Sequence, residues 1–218
     1  MSRLTPRAKT PTAGWSSRRS GRTEPAEGTS PVSLLSTADR QLLIDALGEA
    51  QRIGMLGAED LGVAIDRALP FASAIPAEAS SFIDLGSGGG LPGLVVALAR
   101  PDLSGLLVDR RGKRIDLLVR LIGRLDVGSR ITALETDVAD LPRRLPGRLW
   151  SVATSRGFGS PTYTAEHAAP LVESGGLLLV SEPPSSDGSR WTDPQVLATG
   201  FQFEQVVDGI AVIRRLTN

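Results

Sequence analysis

Phe82-Ile83-Asp84-Leu85-Gly86-Ser87-Gly88-Gly89-Gly90-Leu91-Pro92-Gly93 decides how the rest of this 218-residue chain is read. An apolar run ends in an acid, passes through alternating glycines at 86, 88 and 90, and opens into the apolar stretch Leu94 to Leu98. That pattern is a strand, a tight turn and the start of a helix. Glycines strip the turn of side chains, so a ligand can approach the backbone, and the helix N-terminus presents N–H groups without intrahelical partners. Such a turn at the carboxyl end of a first strand is where open α/β sheets bind nucleotide-like cofactors.

Downstream of Ser81 the pattern alternates between strands and helices. Strands are expected at 81–85, 104–109, 130–135, 149–154, 176–181, 201–206 and 209–215, and helices at 92–99, 112–124, a short piece near 138–142, and 161–171. Regular alternation implies a mostly parallel sheet of seven strands covered by helices. The last two strands flank Asp208-Gly209, a two-residue turn signal, and read as an antiparallel C-terminal hairpin at the sheet's edge. Pro183 to Ser189 has the composition of a mobile surface loop.

Upstream of Ser81, Ser36-Thr37-Ala38-Asp39 is a helix start, with Leu42, Leu43, Ala46, Leu47, Ala50 and Ile53 at helical spacing behind it. A second helix is expected from Glu59 to about Pro76, and the two form a small N-terminal cap. Residues 1–33 carry Arg3, Arg7, Lys9, Arg18, Arg19 and Arg22 against only Glu24 and Glu27. They read as a disordered basic tail. The chain thus divides into a tail (1–33), a helical cap (34–78) and an α/β domain (79–218).

Composition excludes several chemistries. There is no cysteine, so disulfides, thiolate catalysis and Cys-ligated metals are ruled out, and the single histidine, His167, cannot build a multi-His metal site. His167 reads as a packed or surface residue. No apolar run approaches the roughly 20 residues that span a bilayer. The basic tail lacks the apolar core of a secretory signal. The expectation is a cytoplasmic protein with no metal and no membrane partner.

Four places carry chemistry. The turn follows D-x-G-x-G-x-G, not the G-x-G-x-x-G of dinucleotide binders, and G-x-x-x-x-G-K-[ST] is absent. Alone it could serve NAD, FAD or S-adenosylmethionine, or be merely a tight connection, with Asp84 at the strand end placed to hold a ligand amine or hydroxyl. Asp109 closes the second strand 19 residues after Gly90, where an acid accepts the hydroxyls of a ribose; the alternative is a helix cap before Arg110 to Arg114. Past the third strand, Glu135 to Asp140 offers Asp137 or backbone groups to an adenine amine, with Val138 and Ala139 against the ring, or is simply a solvated turn. At the fourth strand's tip, Arg156 in Thr154-Ser155-Arg156-Gly157-Phe158 could grip a carboxylate or a nucleic-acid phosphate. Trp150 and Phe158 flank that strand and read as core packing, with base stacking as the other role open to them.

Taken together these motifs resemble the bacterial small-subunit ribosomal RNA guanine-N7 methyltransferase family, also called glucose-inhibited division protein B, over about 56–182. The resemblance rests on Ile83 to Gly93, Arg100-Pro101-Asp102, Val108-Asp109 with Gly112-Lys113-Arg114, Thr154 to Phe158, and Pro170 to Gly176. It implies a Rossmann-like class I methyltransferase fold and S-adenosylmethionine as cofactor. It implies contacts at Gly86, Leu91, Val138, Ala139 and Arg156, with Asp109 at the ribose. The full candidate cofactor set is Asp84, Gly86, Gly88, Gly90, Leu91, Asp109, Asp137, Val138, Ala139 and Arg156, and Arg156 is the candidate catalytic, orienting residue. The implied reaction is methyl transfer to N7 of a guanine in 16S ribosomal RNA, by a monomer acting on the RNA or the small ribosomal subunit.

The chain also departs from that family. Asp66-Arg67 is followed by Ala68 where the family has His, Asp137-Val138-Ala139 replaces a turn bearing Arg and Glu, and the fifth strand ends in Ser181-Glu182-Pro183 instead of Lys-Gly. Fewer basic groups and added acids at an RNA-facing surface weaken phosphate attraction. Two other functions therefore stand beside the first: a diverged paralogue methylating another RNA or a small molecule, and a non-catalytic module that binds cofactor or RNA. An NAD-dependent oxidoreductase is disfavoured by the motif spacing and by the lack of a proton-relay His or Tyr-Lys pair.

Overall fold

The computed structural model describes residues 34–217; the expected tail at 1–33 lies outside them. Seven strands form one sheet: β1 (Ser81–Leu85), β2 (Ser104–Asp109), β3 (Ile131–Glu135), β4 (Trp150–Ser155), β5 (Val172–Ser181), β6 (Phe201–Val207) and β7 (Ile210–Arg215). Their order is β3-β2-β1-β4-β5-β7-β6. All neighbours from β3 to β5 pair in parallel, and β7 runs antiparallel to both β5 and β6. The expected α/β class, parallel sheet and reversed C-terminal hairpin are all present.

Period-two alternation sorts the strands into two cores. Phe82, Leu107, Val152, Leu177, Leu179 and Val212 face one side, against the cap, α4 (Gly93–Ala99) and α5 (Gly112–Arg124). Ile83, Leu85, Val108, Ala153, Leu178 and Ile213 face the other, against α7 (Pro161–Ala168), Trp191 and α8 (Pro194–Ala198). Both faces are covered, which is why β1 reads as an almost unbroken apolar run instead of an alternation.

The cap differs from expectation. α1 (Thr37–Arg52) starts where Ser36 accepts a hydrogen bond from the Asp39 N–H and buries Leu43, Ala46, Leu47 and Ala50. The segment expected as one further helix is two, α2 (Leu61–Asp66) and α3 (Leu69–Ala74). Pro70 is the cause: it has no N–H to give the Asp66 carbonyl and its ring crowds that carbonyl, so the first helix ends at Asp66.

Other boundaries shift for local reasons. β5 begins at Val172, four residues before the expected start, with left-handed Gly175 (φ +79°) and a register irregularity against Trp150 and Val152 absorbing the extra length. The short piece after β3 is a 3-10 turn (Val138–Asp140) running into α6 (Leu141–Arg144). α8 was not anticipated, although Asp193 as cap and Pro194 in the first turn are an ordinary start signal. The stretch expected as a mobile loop is braced from inside. The Glu182 side chain, fully buried, accepts hydrogen bonds from Arg190 (Nη2 at 2.6 Å), Trp191 Nε1 (2.7 Å) and Ser186 Oγ.

Candidate functional site

The sheet order reverses direction between β1 and β4, and the crevice outside their carboxyl ends is where such a sheet offers a ligand site. Two cavities, of about 370 and 330 Å³, open there and share Gly86, Arg114 and Gly157 in their walls. The first lies over the ends of β2 and β3, between Asp109, Thr136, Asp137 and Val138 on one side and Phe158 and Tyr163 on the other. The second lies between the glycine turn (Gly86 to Gly89, Leu91), the cap residues Leu56, Glu59 and Leu61, and Arg156.

Bare backbone is required at the turn. Gly86 sits at φ +72°, and a Cβ there would stand 2.8 Å from the Phe158 ring. A Cβ on Gly89 would meet Leu56 at 2.6 Å and the Met55 carbonyl at 2.7 Å, so the cap packs directly on the turn. The turn is also tied to β2: Ser87 donates its N–H to the Val108 carbonyl (2.8 Å), and Gly88 donates to the Asp109 carboxylate (3.1 Å).

Asp109 is 4% exposed. One carboxylate oxygen accepts from the Arg111 N–H (3.0 Å), and the other accepts from Gly88 and from Arg114 Nη1 (2.9 Å). Arg114 reaches it from the first turn of α5, five residues on, and is itself part-exposed. Asp137 caps the 3-10 turn through the Ala139 N–H (3.0 Å), so part of its carboxylate is committed to local structure.

Asp84 lies beneath the turn, wholly buried, and lines neither cavity. Its Oδ1 accepts a 2.8 Å hydrogen bond from Thr154 Oγ1, its partner across the β1–β4 register, while Oδ2 has no hydrogen-bond partner among the described residues. Burial pushes its carboxyl up to about 6 against the opposing pull of the Thr154 hydrogen bond. Of the other expected residues, Gly86, Gly88, Leu91, Asp109, Asp137, Val138 and Arg156 come to the cavity walls. Gly90 packs inward against Leu94, and Ala139 is exposed on the outer side of its turn.

Three contributors to the cavity walls lie outside the expected cofactor set. Glu59 forms an ion pair with Arg67 and approaches Arg156 at 3.8 Å, joining the cap to the tip of β4. Arg114 stands at the junction of both cavities. Tyr163 lines the first cavity, its ring 5.4 Å from Phe158 and 4.0 Å from His167. Its place one turn into α7 after the Ser160-Pro161 start is the available signal. Trp150, by contrast, is core, 3% exposed.

The expectation that the departures load acid onto an RNA-facing surface is corrected at the end of β5, where the Glu182 side chain is buried and paired with Arg190. Among the described residues no group of His, Cys, Asp and Glu is arranged to hold a metal, and no helix is long and apolar enough to cross a membrane.

Residues 65–187 match the family model described as rRNA small subunit methyltransferase G. Among curated proteins, a Ribosomal RNA small subunit methyltransferase G of Salinispora arenicola is 31% identical over 182 residues, covering 75% of this chain and 74% of that protein. One of the same name from Clostridium beijerinckii is 34% identical over 110 residues, 50% of this chain and 46% of that protein. The chain spans about half the length of the first curated relatives that it matches. Among solved structures, the cofactor-bound protein Rv0187 from MTB superposes with a TM-score of 0.60 at 17% identity, covering 82% of this chain and 91% of that one, a likeness of fold.

Proposed function

From the premise that this chain belongs to the rRNA small subunit methyltransferase G family, we propose that it transfers a methyl group from S-adenosylmethionine to N7 of a guanine in 16S ribosomal RNA. The observation that carries the reading is the pair of adjoining cavities, one walled by bare glycine backbone and the other by an acid at the end of β2 with aromatic rings opposite.

The residues present suit a nucleoside joined to an amino-acid tail. Asp109 is the one acid at the β2 tip and would accept the ribose hydroxyls. Its two backbone donors are fixed, and the part-exposed Arg114 is the partner that a ribose would displace. Val138 and Phe158 would sandwich the adenine, with Asp137 and neighbouring backbone at its rim. The methionine part would lie along Gly86 to Gly89 in the second cavity, under the cap. Bound there, S-adenosylmethionine supplies an electrophilic methyl group on a sulfonium.

The chain's own contribution is positioning. Guanine N7 carries a lone pair and no proton, so the step needs no general base, in keeping with a cleft whose charged side chains are arginines and already-engaged carboxylates. What accelerates transfer is alignment of N7 with the methyl–sulfur bond and exclusion of water by the cap. Arg156, held at the mouth of the second cavity by Glu59, orients the acceptor. We place the reaction in the cytoplasm, carried out by a monomer on RNA or on the small ribosomal subunit.

Calorimetric titration with S-adenosylmethionine tests the cofactor half. The wild-type protein is expected to bind, and Asp109→Ala to bind about 1–3 kcal/mol more weakly, the cost of charged hydrogen bonds left unmade. Wild-type affinity in the variant would remove Asp109 from the ribose, and no binding by the wild type at millimolar ligand would overturn the reading.

A further inference from the structure

A third cavity, of about 470 Å³, opens at the carboxyl end of β5 and adjoins the cofactor cleft through Arg156, which lines both. Its walls include Arg67, Arg156, Ser181, Pro184, Asp208 and Ile210. Arg156 stands past the end of β4 and Asp208 in the β6–β7 turn, with β5 between them in the sheet. Two strand spacings separate β4 from β7, so the cation and the acid flank a gap on the order of 10 Å.

Asp208 is otherwise unexplained. It is exposed, and among the described residues its carboxylate has no hydrogen bond or ion pair, unlike Glu182, the other acid in the walls of this cavity, which is paired with Arg190. Its backbone is fixed: Asp208 (φ +49°) and Gly209 (φ +76°) are the two left-handed residues of a tight hairpin turn, and Gly209 accepts the Glu182 N–H at 2.8 Å. An acid without a partner, on a turn of fixed backbone, therefore shares the walls of this cavity with a cation that also borders the cofactor cleft.

Guanine matches that arrangement. Its N7 and O6 acceptors lie on one edge, and its N1–H and N2–H₂ donors lie together on the adjoining edge, turned away from N7. An ionised carboxylate can accept two parallel hydrogen bonds from such donors. With the donor edge on Asp208, the N7/O6 edge turns to Arg156, which donates to O6 and leaves N7 toward the methyl donor. Adenine has an unprotonated N1 on that edge, which a carboxylate repels, so the same contact rejects it.

We propose that this cavity takes the guanine to be methylated, extruded from the RNA, and that Asp208 determines base specificity by reading its N1–H and N2–H₂ edge. The inference rests on the reading of the chain as a guanine-N7 methyltransferase. Extrusion into a pocket is how enzymes reach a base atom within structured nucleic acid, and a base already unstacked costs least.

Asp208→Asn is the discriminating variant, because Asn is equally at home at this turn position while one acceptor oxygen becomes a donor. Methyl transfer is measured on a 16S rRNA fragment carrying guanine or inosine, which lacks the 2-amino group, at the methylated position, with S-adenosylmethionine affinity measured in parallel. Wild type is expected to prefer guanine in kcat/KM by about 10-fold, at the scale of one good bidentate base contact. In Asp208→Asn the guanine substrate should lose about that factor and the preference should collapse toward unity, with cofactor affinity unchanged. Full retention of the preference would overturn the proposal, as would a loss of transfer that tracks a loss of cofactor affinity. A wild-type protein that methylates no rRNA guanine, yet binds S-adenosylmethionine, would instead overturn the substrate reading on which the proposal stands.

Discussion

Asp84 concentrates the energetics of the glycine turn in one carboxyl group. It is wholly buried, holds one hydrogen bond from Thr154, and its pKa is raised to about 6 chiefly by desolvation. Between about pH 4 and pH 6 the folded chain keeps a proton that the unfolded chain has released, so stability falls as pH rises through that window. From 3.8 to about 6, the shift corresponds to about 3 kcal/mol. Asp84→Asn cannot titrate, so its stability relative to wild type should improve by about that amount between pH 4 and pH 7.5, read by chemical denaturation at each pH. A constant difference across the range would show that Asp84 ionises normally. Asp109, also buried, accepts hydrogen bonds from two backbone N–H groups and from Arg114, which hold the acid at the cavity wall. Two acids in one motif region thus divide into a structural one beneath the turn and a presented one beside it.

At the scale of elements, the loop after β5 is organised by Glu182. Removing this buried acceptor leaves the Trp191 N–H and the Arg190 guanidinium without partner, and Glu182→Ala should destabilise the fold by about 1–3 kcal/mol. Arg190, part-exposed, can recover some hydration, which keeps the loss to that range. Equal unfolding midpoints for variant and wild type would contradict the brace. This loop also shows where sequence reading stops. Strands β1, β2 and β3 and helix α5 were legible because apolar spacing and glycine punctuation are local signals. Glu182 was legible as an acid but not as a buried one, because its partners Ser186, Arg190 and Trp191 are recruited by a loop path that composition does not specify. The cap failed in the opposite way: the signal, Pro70, was present, but helical spacing on both sides of it suggested one helix where the proline's missing N–H makes two. In the site, the glycine turn and Asp109 could be found from spacing. Glu59 beside Arg156, and Asp208 across from it, could not, since those juxtapositions come from the sheet order and the docking of the cap.

Across the whole molecule, alternating strands and helices place one crevice at the β1–β4 reversal, and the cap closes over it by packing Leu56 onto Gly89. The walls of the cavity at the glycine turn come largely from local motifs, and those of the cavity at the end of β5 from elements far apart in sequence: the cap with Arg67, the tip of β4 with Arg156, and the hairpin turn with Asp208. The acid at the end of β5, Glu182, is buried and paired with Arg190, so it adds little negative field there. The central claim, methylation of a 16S rRNA guanine at N7, is tested most directly by mapping N7-methylguanine along 16S rRNA from a strain lacking this protein and from its parent. The account predicts that one N7-methylguanine present in the parent disappears in the deletion strain and returns when the wild-type chain is restored. An identical modification map in both strains would contradict it.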